Sequence, residues 1–394
     1  MLHPVDLYSL RFWGVAAVAV IALTTLSGAR ARAWAFALVN LAFLALHLDA
    51  AAMAVAVGGL LASFLVLRAL GAGRPRLASA AVAVGGLAVL GLFVIHKVPG
   101  LVGATGGSAD RAGLAGLPPI LAVVGYSYVA LRLVDAGRAV YEGRHPAPDL
   151  VATINYLVPF HMLGAGPIQA YDDFVGQPAV PPAPGPSASL RALERIAAGL
   201  FKKFVVALTL ERVFLTGFLA RGPYVFVEMN IQYVWLYLDF SAYSDIAVGL
   251  GRLLGFATPE NFDRPFVARN SIDYWERWHI SLSQFIRRNV FFPLQIRLMR
   301  ATGGRRPLTA AAPAFLVSFL LCGLWHHVSW NWLAWGAVQG VGLIACNVYR
   351  AALLKRLGRK GLNRYMEDPR VRAAMVVLTF EFMAFALLVA TYPF

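Results

Sequence analysis

Charge and cysteine are the two things this 394-residue chain has little of. Charged residues make up 14% of it, against about 25% in an ordinary globular domain. With 59% hydrophobic residues beside so little charge, a conventional soluble domain is excluded. The two cysteines, Cys322 and Cys346, both lie inside apolar runs. That excludes a disulfide framework or a cysteine-built zinc site and leaves them as small packing groups. No HExxH, GxSxG elbow, Walker loop or glycine fingerprint occurs in a fitting context, so metalloprotease, serine-hydrolase and nucleotide-binding chemistry have no support. No internal repeat is visible, which weakens a secondary-transporter reading.

What is present is apolar length. Runs of roughly 20 residues recur along the chain, the mark of membrane-spanning helices. Candidate spans cover 12–27, 33–47, 50–67, 77–96, 117–134, 151–170, 196–219, 224–254, 272–296, 308–326, 330–349 and 372–392. The first follows Arg11 and reads as a span, because no small-residue cleavage site and soluble domain come after it. The expected fold is all-α: a polytopic membrane helix bundle of roughly 11–12 spanning or re-entrant helices, one integral membrane domain over residues 1–394 that closes on a helix at 372–392.

A net charge of +15 suggests nucleic acid in a soluble protein. Here the basic residues fall in short loops between spans, so membrane topology and anionic lipid headgroups explain them, and no nucleic-acid partner is expected. The clusters are Arg30 and Arg32; Arg68, Arg74 and Arg76; Arg138 and Arg144; Arg297, Arg300, Arg305 and Arg306; and eight more between Arg350 and Arg372. All face the cytoplasm if even numbers of crossings separate them, which places Met1 and Phe394 outside in a multi-pass cell-membrane protein. The clusters at 297–306 and 350–372 have a second reading, the docking of an acidic carrier protein or of coenzyme A phosphates. A small-residue loop at 98–116 is expected outside. A stiff proline-rich connector at 177–188 divides an N-terminal helical half from a C-terminal half that holds most polar motifs.

An ionisable side chain within a span is costly and faces a cavity or a partner. Three stretches accept that cost. In YLDFSAYSDIAVGLGRLLGF, Asp239 and Tyr243 are four apart, as are Ser241 and Asp245. They form either a polar wall of a substrate path or an interhelical hydrogen-bond network. In DYWERWHISLSQF, Trp275, His279 and Ser283 share one helical face, beside an apolar face of Trp278, Leu282 and Phe285. Glu276 and Arg277 point apart, so each is expected to pair with another segment. His279 is either a structural hydrogen bonder or a site residue. In CGLWHHVSWNWLAWG, His326 and His327 project about 100° apart, so they cannot both face one small site. Trp325 can wall an acyl or aromatic group, and a neutral imidazole can act as a general base. A zinc site from His279, His326 and an aspartate has no supporting motif, so no metal is expected. The glycines at 249–255 read as close-packing positions.

Together these stretches resemble the membrane-bound O-acyltransferase family. YLDFSAYSDIAVGLGRLLGFATPENFDRPF, SIDYWERWHISLSQFIRRNVFFPL and GLWHHVSWNWLAWG are similar to three of its blocks, in order. GYSYVALRLVD, FHMLGAGPI and GLFKK upstream are similar as well. The likeness covers roughly 120–350 and leaves 1–116 as divergent N-terminal helices. It points to the bacterial branch of D-alanine transfer and alginate O-acetylation proteins. It implies a tunnel linking the two membrane faces, His326 as the catalytic histidine and His279 as a second polar group in the tunnel, with Asp239, Ser241, Tyr243, Trp275, Ser283 and Trp325 as substrate-binding candidates. Three positions depart from the family's usual pattern: His327 replaces a frequent glycine, Gln339 a frequent histidine, and His161 a common proline.

The expected reaction moves an acyl group, D-alanyl, acetyl or similar, from a cytoplasmic thioester to a hydroxyl of an envelope polysaccharide, teichoic-acid-like polymer or glycolipid. The donor is a phosphopantetheine thioester on an acyl carrier protein, or acyl-CoA, and no cofactor is held permanently. The rival reading is a transporter or flippase of a lipid-linked glycan, without ester formation.

Overall fold

The computed structural model describes residues 9–73, 125–177, 184–218, 224–301, 303 and 307–391. Arg74, Arg76, the span at 77–96, the 98–116 loop, the first part of the 117–134 span, half of the 177–188 connector, Arg305 and Arg306 lie outside the described residues. Among those described there is no β-strand, only an isolated bridge between Phe262 and Trp278. The protein is all-α. Ala29–His47, Ala50–Gly71, Trp330–Glu367 and Pro369–Thr391 are long and apolar enough to cross a membrane; Leu10–Thr25, Leu150–Met162 and Ala310–His326 are shorter apolar segments.

The chain divides into two compact units. The first comprises Met1–Gly199 and Tyr243–Pro259. Helices α1 (Leu10–Thr25), α2 (Ala29–His47) and α3 (Ala50–Gly71) open it. The Ser9 hydroxyl accepts from Phe12 N at 3.2 Å and the Asp49 carboxylate from Ala52 N at 2.8 Å, so each side chain satisfies an amide that the helix start would leave open. Phe12, Phe36, Phe43 and Phe160 interlock, with ring centroids 5.9–6.3 Å apart.

α4 (Tyr126–Tyr141) carries Arg132, which is fully buried. The expected span at 151–170 is not continuous. α5 (Leu150–Leu157) ends before Pro159, and a single 3₁₀ turn follows at Phe160–Met162. Pro159, Gly164, Gly166 and Pro167 cannot sustain a helix, and unwound backbone in an apolar setting needs other partners. Arg132 supplies them, donating to the carbonyls of Leu157, Met162 and Pro167 at 3.0–3.1 Å. Asn40 Oδ1 accepts from Phe160 N at 3.0 Å, and Asp135 Oδ2 from Tyr171 N at 2.8 Å in α6 (Tyr171–Gly176). Of the expected span at 117–134, the described part is helical and runs on to Tyr141.

α7 (Pro186–Phe201) leads into π-helical turns at Lys202–Ala207 and Glu211–Phe218. α8 (Val225–Leu253) gives its end to the first unit and its beginning to the second. In the first unit Gly249 packs directly on Ile196, where a Cβ would come within 2.5 Å of the isoleucine side chain; close packing is what that glycine permits.

The second unit comprises Leu200–Ala242 and Glu260–Phe394. The span expected at 272–296 is here a chain of short pieces: α9 (Ser271–Trp275), α10 (Ile280–Ile286), a π turn at Arg287–Phe291, and α11 (Phe292–Ala301). Two long helices follow, α12 (Pro307–His326) and α13 (Trp330–Glu367), the latter kinked at Gly358. α14 (Pro369–Thr391) ends the described fold. Gly323 of α12 lies against the Trp332 carbonyl and Gly336 of α13 against the Phe319 carbonyl; a Cβ on either would strike backbone. Two helices can approach this closely only on small residues, and this contact sets the position of His326.

Candidate active site

His326 ends α12 and is half-buried in a tryptophan shell. Its ring stacks on Trp332 with centroids 4.9 Å apart, and meets Trp325 at 4.7 Å and Trp335 at 5.5 Å edge-on. His327 is exposed, as the angle between neighbouring helical residues requires. Trp332 and Trp335 come from the first two turns of α13, which the Ser329 hydroxyl caps.

His279 is 3% exposed, and its Nε2 has no hydrogen-bond partner among the described residues. Its ring stands edge-on to Phe240 at 4.8 Å, and it lies near enough to His326 to sense that imidazole's charge. Its backbone is left-handed, with φ 43°, a conformation that costs a non-glycine residue about 1–3 kcal/mol. Asn261, fully buried, holds it there. Its carbonyl accepts from Ile280 N at 3.0 Å, and its Oδ1 accepts from the Ser281 hydroxyl at 2.6 Å and Ser281 N at 3.3 Å. The expected single helical face of Trp275, His279 and Ser283 does not exist. α9 stops at Trp275 and α10 begins at Ile280, so i, i+4 spacing has no meaning across the break.

Trp275 and Ser283 instead line a cavity of about 260 Å³. Trp275 Nε1 donates to Gln339 Oε1 at 3.1 Å, and its ring lies 6.0 Å from Trp335. The Ser283 hydroxyl donates to the Trp278 carbonyl at 3.3 Å. Trp325 borders His326 directly. Glu276 pairs with Arg287 at 2.9 Å, while Arg277 holds Asp273 at 2.6 Å and Asp263 at 3.5 Å. Both residues therefore have partners, as expected, although Asp273 comes from the stretch itself.

The polar face of α8 is a hydrogen-bond network. Asp239 pairs with Lys203, Ser241 accepts from Lys202 Nζ at 3.1 Å, and Asp245 pairs with Arg195 at 3.1 Å. The Tyr243 hydroxyl lies at the backbone of Gly164 and Ala165. Sequence reasoning missed Asn261, Trp332, Gln339, Lys202 and Lys203 as parts of these arrangements. The Lys pair in GLFKK had a legible signal: two cations in an apolar run need acceptors, and LDFS offers an aspartate and a serine. Among the described residues no three His, Cys, Asp or Glu side chains gather as metal ligands, and Cys322 and Cys346 are free thiols.

The pattern of the membrane-bound O-acyltransferase family matches residues 87–355. The chain belongs to that family. This acyltransferase is 27% identical over 289 residues to the teichoic acid D-alanyltransferase of Streptococcus thermophilus, covering 70% of this chain and 69% of that one. It is 31% identical over 236 residues to the probable alginate O-acetylase AlgI of Azotobacter vinelandii, covering 57% and 44%. It is 35% identical over 163 residues to the peptidoglycan O-acetyltransferase of Helicobacter pylori, covering 40% and 29%. The chain thus spans less than half the length of the last two relatives. The acyltransferase is a membrane enzyme with several apolar helices.

Proposed function

We propose that the enzyme transfers an acyl group from a cytoplasmic thioester to a hydroxyl of an envelope polymer or glycolipid, with His326 as general base. The hydroxyl oxygen attacks the thioester carbon, the C–S bond breaks as the C–O bond forms, and the proton passes through His326 to the leaving sulfur. His279 Nε2 stabilises the oxyanion that develops on the carbonyl oxygen, which requires that nitrogen to carry the proton. The observation that carries the reading is the buried Nε2 of His279, without a partner among the described residues and held by a strained backbone. Strain of this kind is retained where surrounding structure enforces it, and functional sites are where it collects.

The donor is a phosphopantetheine thioester on an acyl carrier protein, or acyl-CoA, and a tunnel brings it in line with the acceptor. The basic side chains that are described, Arg297, Arg300 and those from Arg350 to Arg372, are exposed and suit either a cytoplasmic membrane face or an anionic donor. On the topology read from charge, both termini face outward across the cell membrane. Of the substrate candidates, Trp325 and Trp275 belong to the aromatic shell or its border. Asp239, Ser241 and Tyr243 act through the network that holds α8 in place, and Ser283 lines the cavity.

The test is reconstitution of the full chain in vesicles with acyl-CoA or acyl-carrier donors, scoring ester on envelope polymers by mass spectrometry. Ester formation lost in His326→Ala, with expression and donor binding intact, is the expected result. Full transfer by that variant would overturn the mechanism, and acceptor movement without ester would favour a flippase.

A further inference from the structure

The cavity of about 260 Å³ in the second unit lies beside the His326 shell, and neither histidine lines it. Its walls include Ile286, Phe291, Phe315, Phe319, Leu343 and the indole of Trp275. Phe291 and Phe315 stack at 4.4 Å and form one face. Two lining hydroxyls differ. Ser283 donates to the Trp278 carbonyl, while Ser318, 1% exposed, has an Oγ with no partner among the described residues. At the rim stand Phe292, 48% exposed, and the exposed ion pair of Glu276 and Arg287.

We propose that this cavity binds one acyl chain of a bilayer phospholipid, entering past Phe292, with the headgroup phosphate replacing Glu276 on Arg287. Size, polarity and access each support this. An apolar cavity of about 150 Å³ holds benzene, so this one has room for roughly ten chain carbons. A sugar hydroxyl or a pantetheine amide needs partners that walls of phenylalanine, isoleucine and leucine do not offer. A phospholipid carries its phosphate and ester groups at one end and only hydrocarbon beyond them, which matches an ion pair at the rim and apolar walls behind it. Phe292 and Ile296, on neighbouring turns, are both half-exposed apolar groups on a membrane protein, so the rim meets lipid. Arg287 is a fork-shaped donor suited to phosphate.

Occupancy would reach the candidate site through Trp275. One side of its indole faces the cavity, its Nε1 is held by Gln339, and its ring lies against Trp335, which in turn meets His326. The binding claim stands apart from the acyltransferase mechanism; the effect on turnover rests on it.

The test is native mass spectrometry of the full chain purified in mild detergent, beside Ser318→Leu, which fills the cavity and removes the hydroxyl. One retained phospholipid per wild-type chain and at least about tenfold less in the variant is the expected result. Arg287→Gln should lower retention of anionic phospholipids and leave chain length preferences unchanged. Equal lipid retention in wild type and Ser318→Leu would overturn the proposal. So would a variant that keeps its lipid but shifts its acyl-CoA chain-length preference, because the chain in the cavity would then be the donor's. Should Ser318→Leu fail to fold, phospholipids brominated on the chain are added to the wild type and Trp275→Phe. Quenching of a tryptophan component present only in the wild type supports the proposal, and identical quenching in both overturns it. Lipid retention without any ester formation by the wild type would count against the acyltransferase mechanism and leave the lipid site standing.

Discussion

His161 and His279 look alike in burial and in their ring nitrogens. Each is buried, each sits where an apolar run breaks its helix, and each has a ring nitrogen without a partner among the described residues, Nδ1 in His161 and Nε2 in His279. Their surroundings separate them. His161 stacks on Phe256 and touches the Thr258 hydroxyl at 3.4 Å, with Phe36 and Phe160 completing an aromatic cage. His279 is held by Asn261 in a left-handed backbone and lies within reach of a second imidazole. A buried histidine is informative less for its own burial than for what can share a proton or a charge with it.

The comparison breaks first at His326, the imidazole whose charge acts on His279. His326→Ala should lower ester formation about 10²–10⁴-fold, the usual worth of a positioned general base. Circular dichroism and gel filtration should remain as in the wild type. His279→Ala should follow, with a loss of roughly 10²–10³ in kcat. His161→Phe should leave kcat per folded molecule within about twofold while shifting the melting temperature, since a ring of similar size is kept. Equal kcat losses in the two variants would erase the distinction.

Stability sharpens the same contrast. Arg132→Met leaves the Leu157, Met162 and Pro167 carbonyls without their donor, and each orphaned group costs about 1–3 kcal/mol. Proteolysis near the FHMLGAGPI segment should rise steeply. Asn261→Ala frees Ser281 and the left-handed turn at a cost of about 1–3 kcal/mol, and kcat should fall with it. A control distant from both histidines is Glu142. Partial burial pushes its carboxyl up, but hydrogen bonds from Arg138 and Arg144 outweigh this and hold it below its ordinary value. A lowered folded-state value means the stabilisation is present at neutral pH and is lost as pH falls through the lowered value. The pair is surface-exposed, so Glu142→Gln should cost only about 0.2–1 kcal/mol at pH 7, and that difference should vanish in acid, read as the change in unfolding midpoint.

Much of the fold was legible because apolar length is a composition property. α1, α2, α3, α8, α12 and α14 lie within a few residues of the expected spans, and α13 starts at its expected residue but runs on to Glu367. The failures share a cause. At 151–170 and 272–296 hydrophobicity stays high while the helix breaks, because hydrophobicity records where a segment can be buried and not which dihedrals it adopts. In the first case prolines and glycines announced the break. In the second no such residue lies between Trp275 and Ile280. The left-handed turn at His279 comes from Asn261, 18 residues earlier, and only the folded chain brings it alongside.

The motif blocks by themselves determined the family, and apolar length determined the all-α architecture. Residue types at fixed spacing carry that much. The tertiary structure decided the rest. It placed His279 by backbone strain in place of helical spacing, turned the polar face of α8 into ion pairs with Lys203 and Arg195, and gave Gln339 a bond to Trp275. The physical reason is that a polar group in an apolar setting must find a partner, and the partner's identity is fixed by packing between segments far apart in sequence.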